Sequence, residues 1–242
     1  MALRKRVPND DVLGLEGFEL TIDRPNGYYA DPFILDDHLF FEDYDHKKGK
    51  ISALNLKTNQ FFEVLEEPWH LSYPCVFKDG SDYYMVPEAG TTQEITLYKA
   101  TRWPDKWEKC HTIKKGVVYG DPQVFKYRGM WYLFVTMADN DLEVLRTRDL
   151  LGQWEPFTFK HEMNSRSAGN IFEYQGKLLR PVQDCSQLYG GAVILKELEI
   201  GETTVKEKIF SRIDPTWMPN LIGTHTINFD ESYVVLDGKK IL

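Results

Sequence analysis

Two aspartates, each followed by proline, open short apolar runs: Asp31 in ADPFIL and Asp121 in GDPQVF. Three other segments open in the same frame, at Tyr73 in YPCVF, Ala168 in AGNIF and His225 in HTINF. Two carboxylates, a phenol and an imidazole therefore share one column. The next column reads Pro32, Pro74, Pro122, Gly169 and Thr226. Proline fixes the backbone beside each aspartate and removes a donor, which helps to hold a side chain inward. Carboxylates gathered in one place raise each other's proton affinity, and that is how one of them becomes a base near neutral pH. A single Asp-Pro is ordinarily a turn opener; two at equivalent repeat positions point to a site.

A second set lies at or just beyond the ends of the neighbouring strands: Glu88 in MVPEAG, and Gln183 and Asp184 in RPVQDCS. Glu88 and Gln183 match in the repeat frame. Arg180 stands among apolar neighbours, which fits either an inward-facing ligand or a buried pair with a carboxylate. Arg166 precedes the fourth opening and His70 the second; His70 reads equally as a site residue or a framework histidine. Carboxylates gathered beside arginines suit general acid–base chemistry.

The elements that must position these residues repeat five times. ADPFILDDHLFF, YPCVFKDGSDYYMV, DPQVFKYRGMWYLFV, AGNIFEYQGKLL and HTINFDESYVVL each hold two apolar runs around a polar turn. Each is a β-hairpin pattern. From Asp31 through Tyr73, Asp121 and Ala168 to His225, the openings are 42, 48, 47 and 57 residues apart. Strand-rich units at this period predict an all-β fold, a five-bladed β-propeller, with each first strand lining the central channel. The blades are expected to begin near Tyr28, Pro68, Val117, Ser165 and Trp217 within one domain over 1–242. Residues 1–27 are expected to pack on the propeller or to close its last blade. Trp107 and Trp154 lie 47 residues apart and are expected to wedge between blades.

The chain has 242 residues, a net charge of −8 and 14% aromatics. That length suits one large β domain. The acidic balance makes nucleic-acid binding a poor reading. Three cysteines without CxxC spacing predict neither a disulfide framework nor a zinc site, but small buried thiols in a reducing compartment. The basic start MALRKRVPND has no apolar stretch after it, and no run of 18 apolar residues occurs, so a cytoplasmic protein without a membrane span is expected.

ADPF, YGDPQVF with GMWYLF, and RDLLGQWE resemble the blade signatures of family 43 glycosidases and their relatives. PWHLSYPCVF, YYMVPEAG, LYKATRWPDKWE, GNIFEYQGKLLRPVQDCS and YGGAV resemble more closely the N-terminal domain of plant glucosamine inositolphosphorylceramide transferases. The resemblance covers about residues 28–230. In the plant proteins an exostosin-type transferase domain follows, which implies a propeller acting alone or with a separate partner.

The glycosidase resemblance implies Asp31 as general base and Asp121 as the carboxylate that tunes and orients the site. It also implies an acid glutamate at the opening of blade four, where this chain has Arg166-Ser167-Ala168-Gly169. A sugar leaving group needs a proton donor, whereas a nucleotide diphosphate needs positive charge. The expected function is therefore a glycosyltransferase carrying a sugar, a pentose such as xylose, from a nucleotide-sugar donor to a glycan acceptor. Arg166, Arg180 and His225 would face the diphosphate. Glu88 could supply a proton, which keeps a glycoside hydrolase as one alternative; a non-catalytic glycan-binding propeller is the other. The remaining substrate-binding candidates are His70, Tyr73, Gln183 and Asp184. The sequence requires no cofactor and yields no metal-ligand set, although Mn²⁺ or Mg²⁺ could sit on a diphosphate.

Overall fold

A computed structural model describes residues 1–138, 141–157 and 166–240. Five four-stranded antiparallel sheets form a ring, the five-bladed propeller expected from the repeat. Blade one consists of Tyr28–Leu35, His38–Tyr44, Gly49–Asn55 and Phe61–Leu65, from the channel outward. Blade two consists of Ser72–Asp79, Asp82–Glu88, Glu94–Arg102 and Lys106–Lys115. Blade three contains Tyr119–Tyr127, Met130–Met137, Leu142–Thr147 and the short edge Glu155–Pro156. Blade four contains Phe172–Tyr174, Lys177–Asp184, Ala192–Ile200 and Val205–Ile213. Its expected start at Ser165 lies outside the described residues.

Blade five joins the two ends of the chain. Leu221–Phe229 and Tyr233–Lys240 pair with each other, and Ala2–Lys5 then pairs with the second of them, Ala2 opposite Leu236 and Lys5 opposite Tyr233. Glu19–Leu20 adds the outer strand. The N-terminal segment thus closes the last blade, and it covers an edge that would otherwise expose unpaired backbone groups.

The blades pack through the apolar positions of the repeat. Trp107 and Trp154 are buried in one core cluster, and Trp107 meets Phe40 of blade one edge-on at 6.2 Å. Each indole N–H donates to a carbonyl just upstream, Pro104 O at 2.7 Å and Leu150 O at 3.3 Å. Of the cysteines, only Cys75 is buried; Cys110 and Cys185 are exposed, and all three are free. The expectation of three buried thiols fails because Cys110 lies on an outer strand and Cys185 in a loop.

Side chains cross the centre of the ring. The Tyr73 hydroxyl accepts the Gly169 N–H at 2.6 Å. Gln123 Nε2 donates to Gly169 O and Pro181 O. Asn228 Nδ2 donates to Pro32 O at 2.7 Å, while its Oδ1 accepts the Asn170 N–H at 2.7 Å. Gly169 is required here: its φ is +123°, and a Cβ would lie 1.9 Å from Ile227 O. At the far ends of the inner strands, Leu35, Phe77, Phe125, Phe172 and Phe229 line an apolar cavity of about 350 Å³.

Candidate active site

The repeat frame places the blade openings at one mouth, and three of them share a distorted backbone. Asp31, Tyr73 and Asp121 have φ of +52°, +44° and +46°, and the pairing register breaks at each. Bulges of this kind re-aim a side chain. For a bulky residue such as Tyr73 the left-handed conformation costs on the order of 1–3 kcal/mol. That cost is sustained by its packing and by the cross-channel bonds of its hydroxyl.

Asp31 lies beside His225, whose Nδ1 is 3.0 Å from Asp31 Oδ1 and 3.4 Å from Asp237 Oδ2. The carboxylates also bind the backbone of the openings. Asp31 N–H donates to Asp237 Oδ2 at 2.9 Å, Tyr73 N–H to Asp31 Oδ2 at 3.3 Å and Asp121 N–H to Glu88 Oε2 at 2.8 Å. Asp121 meets the Arg166 guanidinium through Oδ2, and Arg166 Nη2 lies 3.8 Å from Glu88 Oε2. Gln183 Nε2 donates to Ser167 O at 2.8 Å and more weakly to Asp121 at 3.4 Å. Tyr189 roofs this side: its ring lies 5.2 Å from the Arg166 guanidinium carbon, and its hydroxyl is 3.3 Å from His225 Nε2.

Burial and crowding set the protonation states. Burial pushes the Asp121 carboxyl well above its ordinary value; Arg166 opposes that shift, while Glu88 adds to it. Burial disfavours a charged His225, yet Asp31 and Asp237 outweigh it and raise the imidazole well above its usual range. The Glu42 carboxyl is pushed up to about 9, by burial first and then by Asp31 and Glu88. Asp31, His225 and Asp237 offer three ligand atoms within 4.8 Å of one another. Two carboxylates and an imidazole at this spacing could hold either a shared proton or a metal ion.

The structure brings Asp31, Tyr73, Glu88, Asp121, Arg166, Gln183 and His225 together, with His70 at the rim. It does not bring Arg180 or Asp184 to them. Arg180 is fully buried inside blade four, where its Nε donates to Glu207 Oε1 at 2.5 Å and its Nη1 to Gln123 Oε1 at 3.2 Å. It belongs to the framework, as its apolar neighbours allowed. Asp184 turns to Arg212, which holds its carboxyl down to about 2, and caps its own loop by accepting the Ser186 N–H. Sequence reasoning missed Glu42, Asp237 and Tyr189. Glu42 was within reach: it lies two residues beyond Phe40, the partner of Phe33, as Glu88 lies two beyond Val86, the partner of Cys75. Asp237 sits one position out of that frame, and Tyr189 comes from the loop between Lys177–Asp184 and Ala192–Ile200, beyond the apolar runs that set the repeat.

Comparison with known proteins agrees with this architecture. Residues 21–213 match the family model described as glucosamine inositolphosphorylceramide transferase 1, N-terminal. The chain is 33% identical over 201 residues to the glucosamine inositolphosphorylceramide transferase 1 of rice, covering 72% of this chain and 27% of the rice protein. The Arabidopsis thaliana protein of the same name is 29% identical over 201 residues, covering 73% and 26%. The chain thus spans about a quarter of the length of these relatives. An exo-β-1,3-galactanase from Clostridium thermocellum superposes with a TM-score of 0.62 at 15% identity, over 78% of this chain and 51% of the galactanase. A family 43 β-1,3-galactosidase gives 0.60 at 13% identity, over 78% and 46%. At these identities the likeness is one of fold. The chain is a member of the glucosamine inositolphosphorylceramide transferase 1 N-terminal family, built on the propeller that family 43 glycoside hydrolases share.

Proposed function

We propose that the acidic mouth binds a sugar and serves glycosyl transfer, with Asp31 accepting the proton of the attacking hydroxyl and Asp121 orienting the site. The carrying observation is the balance of charge. Asp31, Glu42, Glu88, Asp121 and Asp237 stand against Arg166 and His225, and both cations are already engaged by carboxylates. Such a site accepts hydroxyl donors well and a free diphosphate poorly. A neutral sugar, or the amino sugar in the relatives' name, suits it better than a strongly anionic ligand.

A second reading keeps the nucleotide-sugar donor. It is favoured by Arg166, whose side chain is 32% exposed at the rim and could swing from Asp121 to a phosphate. Under that reading a pentose such as xylose rests on the family 43 resemblance alone.

Saturation-transfer NMR with galactose, glucosamine, xylose and their uridine diphosphate derivatives separates the two. Binding of the simple sugars is expected, weakened about tenfold or more in Asp31→Asn, since a hydrogen bond to a charged group is worth about 1.5–3 kcal/mol. No sugar binding at millimolar concentration sinks the proposal. Binding of only the diphosphate forms, lost in Arg166→Ala, installs the second reading.

A further inference from the structure

Blade two holds a cavity of about 340 Å³ outside the mouth, to which the reading above gives no task. The blade is antiparallel, so Ser72 opens its first strand at the end where Glu88 closes the second and Glu94 opens the third. The cavity lies at that end, on the face of the mouth. Two segments serve both places through adjacent residues. Glu88 belongs to the mouth and Ala89 to the cavity; His70 stands at the rim and Trp69 lines the cavity. Gly90–Thr92, a single 3-10 turn, forms part of the wall. It is pinned by Thr92, whose hydroxyl donates to Ala89 O at 2.8 Å and accepts the Glu94 N–H at 3.2 Å.

The wall combines two aromatic rings, Trp69 and Tyr98, with the hydroxyls of Thr91 and Thr96 and the carboxylate of Glu67. Several of these polar groups are unspent. The Trp69 indole N–H is buried and has no acceptor among the described residues. Thr96 is 7% exposed, and neither its hydroxyl nor that of Thr91 makes a hydrogen bond among the described residues. Buried donors without partners call for a reason. Glu67 takes the Tyr98 hydroxyl on Oε1 at 3.0 Å, which leaves its second oxygen as an acceptor. The charges of the wall are otherwise balanced. Glu94 is bound to Lys109 at 2.8 Å and to Lys115 at 3.1 Å, so Lys109 is not free to receive an anion.

We propose that this cavity is a second sugar subsite, which takes one neutral glycosyl residue. Ligand pockets run upward from about 300 Å³, so the volume suits one sugar ring rather than a longer chain. An aromatic π surface is the negative face of a quadrupole and attracts the C–H side of a sugar ring. The threonine hydroxyls and Glu67 offer donors and acceptors to the sugar hydroxyls, and no unpaired charge of the wall asks for an ion. The subsite goes beyond the reading of the mouth and uses none of the mouth's carboxylates.

The test is a titration of the full chain, labelled with nitrogen-15 in tryptophan and histidine, with methyl galactoside, lactose and uridine diphosphate galactose. Trp69→Phe assigns the Trp69 indole signal. A saturable shift of that signal at millimolar methyl galactoside is expected, unchanged in Asp31→Asn and weakened about two- to tenfold in Thr96→Val. Thr91→Ala, on the exposed turn, should weaken it likewise and serves if Thr96→Val does not fold. No Trp69 shift with either neutral sugar overturns the subsite. So does a shift that Asp31→Asn abolishes and both threonine variants keep, since the mouth would then be its source. A shift with the diphosphate sugar alone overturns the neutral class. The His225 ring reports the mouth in the same spectra. Trp69 moving with His225 still keeps the subsite and counts against the sugar reading of the mouth; His225 moving with Trp69 still overturns the subsite alone.

Discussion

Inside blade four, one buried carboxylate is enclosed by two cations: Glu207 Oε1 takes Arg180 at 2.5 Å, and its Oε2 takes Lys196 at 3.0 Å. At the mouth the proportion is reversed, with five carboxyl groups around two cations and the Glu42 Oε1 left unbonded. The Glu207 carboxyl is held below its ordinary value, because Arg180 and Lys196 outweigh its burial; the Glu42 carboxyl is driven the other way. Both clusters are buried, so burial of charge alone does not mark a site. What distinguishes them is whether the oxygens are spent on the protein itself. The blade-four trio is closed and structural, and the mouth keeps acceptors in hand for something brought to it.

The largest effect is expected from opening the closed cluster. Glu207→Ala leaves Arg180 and Lys196 buried without their carboxylate, which should cost about 3–5 kcal/mol in chemical denaturation. A loss under about 1 kcal/mol, within the range of a surface pair, would break the contrast.

The mouth should respond in the opposite direction. The unfolded chain releases the Glu42 proton near its ordinary value of 4.5, whereas the folded protein holds it to about 9. Stability is therefore lost as pH rises through that window. Glu42→Gln removes the dependence, so the variant should be more stable than the parent by on the order of 2–3 kcal/mol at pH 7 and no different at pH 4. Melting curves at the two pH values decide it; a variant less stable at pH 7 would mean that Glu42 is framework after all.

The smallest effect sharpens the boundary between framework and site. Tyr73→Phe removes the acceptor of the buried Gly169 N–H and should cost about 1–3 kcal/mol. The left-handed backbone at residue 73 is unchanged by that substitution, so the charges of the mouth stay in place. Sugar binding that falls with stability kept would move Tyr73 from scaffold to ligand contact.

The ring of five was legible because the hairpin repeat is written in apolar residues and turns, both local. The opening column was legible for the same reason, and it placed Asp31, Asp121 and His225 together. Arg180 and Asp184 misled because their partners, Glu207 and Arg212, lie on the last strand of blade four, where no repeat register reports which way a side chain turns. Glu42 was hidden inside HLFFEDY, an acidic end to an apolar run that reads as a solvated strand terminus. The left-handed backbone suits Asp31 and Asp121, but tyrosine avoids it, so its recurrence at Tyr73 comes from the place in the ring rather than from residue preference.

The bonds that Tyr73, Gln123 and Asn228 throw across the centre make the propeller a cup with a floor. Beneath that floor lies the phenylalanine-lined cavity, in a separate compartment. A ligand passing from one face to the other would have to break these cross-channel bonds. Whatever binds at the acidic face therefore has one doorway, and each molecule must leave by the route it entered.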